Sequence, residues 1–150
     1  MKKIFILLLT ISIWGCGTDQ GESRTYDYSV INNSGGTIEI IPYENGIKRE
    51  DRKRVLVNTQ KVNKQITIFP PSGGGFRMIT TLFPDFVADR IDIIFAGTKK
   101  ISHFECSPSN SCNNQPNNIF NDVFSDEQTE VYAITAEDFQ NATDCGGPCN

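Results

Sequence analysis

Short runs of β-branched and aromatic residues recur about every ten residues along this chain, with Gly, Asn or Pro between them. No other feature constrains the fold as much. Side chains alternate faces along a strand, and runs this short suit strands rather than helices. Residues 26–31 (YDYSVI) alternate apolar and polar positions, 32–36 (NNSGG) carry turn chemistry, and 37–43 (TIEIIPY) form the next candidate strand. The turn at Glu44, Asn45 and Gly46 predicts a hairpin returning through 47–51, because Asn and Gly both tolerate positive φ. Further strands are expected at 54–57, 65–69, 90–95, 100–106 (after a turn at Gly97) and 130–135. Residues 70–75 (PPSGGG) break the pattern, and 113–118 (NNQPNN) read as a loop.

Two stretches depart from this rhythm. Residues 135–138 (TAED) place a Thr N-cap before acidic residues, which predicts one short helical turn reaching Ala142. Residues 119–124 fit a strand or a helix equally well. Helices long enough for parallel crossovers are missing from the pattern. The fold class expected is therefore all-β: an antiparallel β-sandwich of about seven or more short strands, with a barrel as the alternative. Ten Phe, four Tyr and many Ile and Val are enough to fill one such core.

The N-terminal sixteen residues, MKKIFILLLTISIWGC, follow different rules. Lys2 and Lys3 form a positive n-region, and residues 4–13 form an apolar stretch broken only by Thr10 and Ser12. About ten apolar residues are too few for a permanent membrane span but suit a secretory h-region. Ile13, Trp14, Gly15 and Cys16 then resemble the lipobox of bacterial lipoproteins, with Trp14 where that family carries a small residue. The resemblance implies cleavage before Cys16 and acylation of Cys16 with palmitate-type chains. Each buried methylene of those chains contributes about 0.8 kcal/mol to membrane attachment. Residues 1–15 are thus expected to be a cleaved signal peptide, 16–25 the lipidated cysteine and a flexible tether, and 26–150 the β domain. Gly17 stands where an inner-membrane retention signal would place Asp, so the outer membrane of the cell envelope is the expected destination.

Without residues 1–15 the chain has 135 residues, one domain's worth, and its balance becomes 12 basic against 18 acidic side chains. An acidic domain is a poor nucleic-acid binder, because the phosphate backbone is held by clustered cations. The dense basic run at 48–54 (KREDRKR) is interrupted by Glu50 and Asp51. It reads as a charge-mixed hairpin or edge strand in preference to a patch for anionic lipid or polyanionic glycan.

Three stretches, YSVINNSGGTIEIIPYENG, RIDIIFAGTKKISHFEC and YAITAEDFQNA, resemble a group of small Bacteroidetes lipoproteins. That resemblance implies class and location and carries no catalytic residues.

With Cys16 acylated, Cys106, Cys112, Cys145 and Cys149 remain, an even number that an exported protein is expected to pair as disulfides. Local pairs (106 with 112, 145 with 149) and crossed pairs both fit. A four-cysteine zinc site has looser spacing than the usual knuckles, and no C-x2-C motif supports thiol redox catalysis.

His103 is the sole histidine, which excludes multi-histidine metal sites and leaves no evident triad. Ser72–Gly75 lack the Lys-Ser/Thr of a P-loop. Asp85, Asp89 and Asp92 offer carboxylate pairs of almost no specificity, and no calcium-loop motif is present. Tyr26, Tyr28, Tyr43, Phe76 and Phe83 could stack on sugars, though aromatics in a sandwich mostly fill the core. The expectation is a non-enzymatic structural or interaction domain without cofactor or metal. Its expected contacts are the membrane, through Cys16, and an envelope protein or glycan. The alternative is a carbohydrate- or small-ligand-binding surface module.

Overall fold

The computed structural model describes residues 22–69, 76–107, 111–112 and 115–149. The expected signal peptide at 1–15, Cys16, most of the expected tether and the glycine-rich stretch at 70–75 lie outside them. In chain order the strands are β1 (Arg24–Asn33), β2 (Ile38–Glu44), β3 (Ile47–Lys48), β4 (Arg54–Leu56), β5 (Lys61–Ile68), β6 (Arg90–Phe95), β7 (Lys99–Phe104), β8 (Thr129–Thr135) and β9 (Thr143–Asp144). Two short helices, α1 (Ile79–Leu82) and α2 (Ala136–Asn141), precede β6 and follow β8 respectively.

The strands form two sheets. The small one runs β5-β1-β8, and the large one runs β3-β2-β6-β7-β9, with β4 pairing to β2 beside β3. The two sheets pack face to face as a β-sandwich, as the sequence rhythm predicts. One pairing departs from the antiparallel expectation, because β1 and β8 run parallel from Asp27↔Thr129 to Asn33↔Thr135. No crossover helix is needed, since nearly the whole large sheet lies in sequence between the two strands.

Period-two alternation places the core. Tyr26, Tyr28 and Val30 of β1 meet Ile38 and Ile40 of β2, Ile91, Ile93 and Phe95 of β6, and Tyr132 and Ile134 of β8. Burying each such side chain contributes roughly 1.5–3 kcal/mol. The opposite face of the large sheet carries a smaller apolar cluster of Ile41, Tyr43 and Ile94, onto which Cys149 of the returning tail packs.

The Asn45-Gly46 turn adopts φ of 52° and 76°, so both residues are left-handed as the hairpin between β2 and β3 requires. The β6–β7 hairpin solves the same problem with Ala96 at φ 48° and Gly97 at φ 72°. The predicted C-terminal turn is α2. Thr135 accepts from the Asp138 N–H while the Asp138 carboxylate accepts from the Thr135 N–H, a full capping box.

Residues 119–124 are neither strand nor α-helix. Asn121 caps a 3-10 turn at Asp122–Phe124 by accepting from the Val123 N–H. Two elements fall outside the sequence expectations. Helix α1 buries Ile79, Thr81 and Leu82, and β9 extends the large sheet by two residues.

Candidate functional site

His103 sits on the core face of β7 and is 6% exposed. Its Nδ1 accepts the Ile119 backbone N–H at 3.1 Å and lies 3.4 Å from the Tyr132 hydroxyl. An acceptor Nδ1 places the proton of the neutral ring on Nε2. Tyr132 Oη donates to the Asn117 carbonyl at 2.6 Å, and Asn118 Nδ2 donates to the Phe104 carbonyl at 2.9 Å. The sole histidine therefore pins residues 115–121 onto β7. Burial pushes its pKa down to about 4, against a weaker opposing effect of Asp138. A histidine neutral throughout the physiological range and bonded to backbone is a structural acceptor.

Asp92 is the most buried carboxylate among the described residues, at 2% exposure on the outer face of the large sheet. Arg90 grips it with Nε to Oδ1 at 2.9 Å and Nη2 to Oδ2 at 2.7 Å. Ser102 donates at 2.7 Å and Tyr43 at 3.0 Å, and Lys100 stands 3.5 Å away. The Arg90 guanidinium also stacks 4.2 Å from the centre of the Tyr43 ring. Burial raises the carboxyl pKa, but the hydrogen bonds from Ser102 and Arg90 outweigh it and hold the group below its usual value. Every lone pair that catalysis would need is thus already occupied.

Asp89 lies just outside β6. Its Oδ2 accepts from the Gly46 N–H at 2.9 Å, while its buried Oδ1 has no hydrogen-bond partner among the described residues. Asp85 is exposed, in the loop between α1 and β6. The three aspartates considered as catalytic candidates thus hold one structural ion pair, one turn contact and one surface position.

The five aromatics considered for sugar stacking are all buried: Tyr26 at 9%, Tyr28 at 0%, Tyr43 and Phe76 at 8%, and Phe83 at 4%. Tyr26, Tyr28, Phe76 and Phe83 fill the core, as aromatics of a sandwich usually do, and Tyr43 packs in the smaller cluster on the outer face of the large sheet under Arg90. The four late cysteines form the local pairs Cys106–Cys112 and Cys145–Cys149. Among the described residues no three His, Cys, Asp or Glu side chains gather as a metal site would require.

The basic run occupies β3, a 3-10 turn at Glu50–Arg52 and the start of β4. Its charges are mostly spent on each other and on β2. Lys48 pairs with Glu50 at 2.6 Å, Lys53 with Glu39 at 3.0 Å, Arg52 with Asp51 at 3.5 Å, and Arg49 with both Glu44 and Asp51. Arg54 is the exception and makes no ion pair among the described residues.

A groove of about 450 Å³ opens beside Arg54, where the chain passes from β4 in the large sheet to β5 in the small one. Leu56, Val62 and Phe83 supply its apolar lining, while Arg54, Gln60 and Asp85 supply polar groups. Register explains why Arg54 is there. It sits opposite Ile40, as Leu56 sits opposite Ile38, and cross-strand partners share a face. Arg54 thus shares the register of the core-facing Leu56 but is exposed, at the open edge of the sandwich. Gln60 is held by its own turn, with Oε1 accepting the Val57 N–H at 3.0 Å.

Arg54, Gln60 and the half-buried Phe86 are the groove residues that the sequence expectations did not single out. The one signal for Arg54 was its period-two spacing from Leu56. Comparisons with protein-family models, with curated proteins and with solved structures find no match to this chain.

Proposed function

We propose that this chain is an acylated lipoprotein of the bacterial cell envelope, held at the outer membrane through Cys16, whose β-sandwich is a non-enzymatic interaction domain. The location rests on the n-region, apolar stretch and cysteine in MKKIFILLLTISIWGC. The molecular role rests on one observation above all. The sole histidine, through Nδ1, and the most buried carboxylate among the described residues both serve structural hydrogen bonds, which favours surface recognition as the chemistry on offer.

Cys16→Ser tests the anchor. The variant is expected to lose metabolic acyl labelling and to leave the membrane fraction; labelling equal to the parent chain overturns the lipoprotein reading. Cross-linking in intact envelopes tests the interaction role, and recovery of no specific protein or glycan overturns it.

A second reading, a small-ligand or carbohydrate-binding module, is favoured by the groove at the β4–β5 corner. Its volume of about 450 Å³ falls within the range of about 300–1,000 Å³ usual for small-ligand sites.

A further inference from the structure

We propose that the groove at the β4–β5 corner binds an acidic glycan of sparse charge, a uronic-acid-containing oligosaccharide, with Arg54 pairing its carboxylate. The inference rests on the interaction reading above and names the ligand class for it. Its starting point is the contrast between Arg54 and its neighbours. Lys48, Arg49, Arg52 and Lys53 are each neutralised by a carboxylate within the same segment or on β2. Arg54 alone among these cations, exposed at the groove with its planar, five-donor guanidinium, has no ion pair among the described residues. That fork matches a carboxylate in bidentate geometry, and the pairing is specific in a way a lysine's point charge is not.

The rest of the lining selects a sugar over a bare anion. Gln60 uses Oε1 in its turn, and its amide N–H groups have no partner among the described residues. Asp85, exposed on the loop that supplies the far part of the lining, accepts hydroxyl protons. The half-buried Val62 and Phe86 give a narrow apolar surface for ring C–H groups, while Leu56 and Phe83 behind them are almost wholly buried. Arg49 lies over the Phe86 ring, 5.4 Å from its centre, and covers part of one face. A densely sulfated polyanion is disfavoured, because Arg52 and Lys53 of the same lining are already paired with Asp51 and Glu39, and Asp85 adds a negative charge. One carboxylate among many hydroxyls satisfies Arg54, Gln60 and Asp85 together.

The full-length acylated chain in detergent micelles is titrated calorimetrically with an oligogalacturonate, a neutral glucan of equal length and a heavily sulfated oligosaccharide. Anionic phospholipid vesicles are tested by co-sedimentation. The oligogalacturonate is expected to bind most tightly. Arg54→Gln is expected to weaken it at least about tenfold, the usual cost of a lost charge-assisted hydrogen bond. Lys99→Gln, on β7 and outside the groove lining, is expected to leave it unchanged. Asp85→Asn separates sugar recognition from simple charge attraction: weaker binding supports the proposal, and stronger binding overturns it. Equal affinity for the neutral glucan, tighter binding of the sulfated chain or of vesicles, or indifference to Arg54→Gln also overturns it. If an envelope partner is still captured by cross-linking, those results reject the ligand class and leave the interaction role standing.

Discussion

The side chain of Asn32 donates a hydrogen bond from Nδ2 to the Leu56 carbonyl at 2.9 Å, tying β1 of the small sheet to β4 of the large one. The same Nδ2 donates to the Gly36 carbonyl at 2.8 Å, and Oδ1 accepts from the Ser34 N–H and hydroxyl at 3.0 and 2.7 Å. Asn32 is fully buried, and its backbone also bonds to Thr59 and Gln60. Asn32→Asp replaces the two donors with an oxygen facing two carbonyls. It is expected to lower unfolding free energy by about 2–4 kcal/mol, from two unsatisfied buried acceptors. Chemical denaturation checks this, with Asn33→Asp at the exposed neighbour as a control expected to change stability little.

His103 predicts the acid dependence of stability. Its ring stays neutral in the folded chain down to about pH 4, whereas the unfolded ring protonates near its ordinary value of 6.5. Below 6.5 the unfolded state binds the extra proton. Stability from this group is therefore complete above about pH 6.5 and falls as pH drops toward 4. The total loss is on the order of 3 kcal/mol. His103→Asn keeps an acceptor for the Ile119 N–H, and its denaturation midpoint is expected to be flatter across that window.

Asp92→Asn leaves the Arg90 guanidinium without its charged partner on the outer face of the large sheet. Arg90 retains some solvent contact, at 27% side-chain exposure, so the expected cost is about 2–3 kcal/mol, below that of a fully buried pair. Ser102→Ala removes one hydrogen bond to the same carboxylate and is expected to cost about 1 kcal/mol. A double-mutant cycle on Arg90 and Asp92 reads their coupling directly.

Ala96 adopts a left-handed backbone conformation, φ 48°, that costs an alanine roughly 1–2 kcal/mol. Asn tolerates this region better and adds no chain entropy to the unfolded state. Ala96→Asn is therefore expected to raise stability by roughly 0.5–1 kcal/mol in thermal or denaturant unfolding.

The two disulfides close loops of only six and four residues in sequence separation. Short loops restrict the unfolded chain little, so each bond is expected to contribute roughly 2 kcal/mol, less than a crossed pairing across the 106–149 region would. Peptide mapping without reduction is expected to recover Cys106 with Cys112 and Cys145 with Cys149. The Cys145→Ser/Cys149→Ser pair is expected to stay folded with a lowered midpoint.

Which strands form was legible in the chain because alternation and turn residues are local properties. Arg90–Phe95 matches the apolar run to the residue, Asn45-Gly46 makes its hairpin, and Thr135 with Asp138 caps α2 as the TAED stretch predicts. Helix α1 was not legible. Four residues of ITTL carry no helical period, and the turn exists because Ile79, Thr81 and Leu82 find the core. Strand β9 likewise depends on a partner, Lys99 and Lys100 of β7, far from it in sequence.

By itself, then, the sequence determined the all-β class, the positions of most strands and hairpins, and the alternation that makes one face of each strand apolar. Tertiary structure alone decided that β1 and β8 pair in parallel, that the cysteines bond locally, and that His103 faces a backbone N–H sixteen residues away. It also decided that the sugar-stacking candidates are buried while Arg54 borders a groove. The physical reason is range. Alternation and turn geometry act over a few residues, whereas burial and register depend on which distant strands share a sheet edge. A side chain's chemistry is set by whatever that pairing places against it.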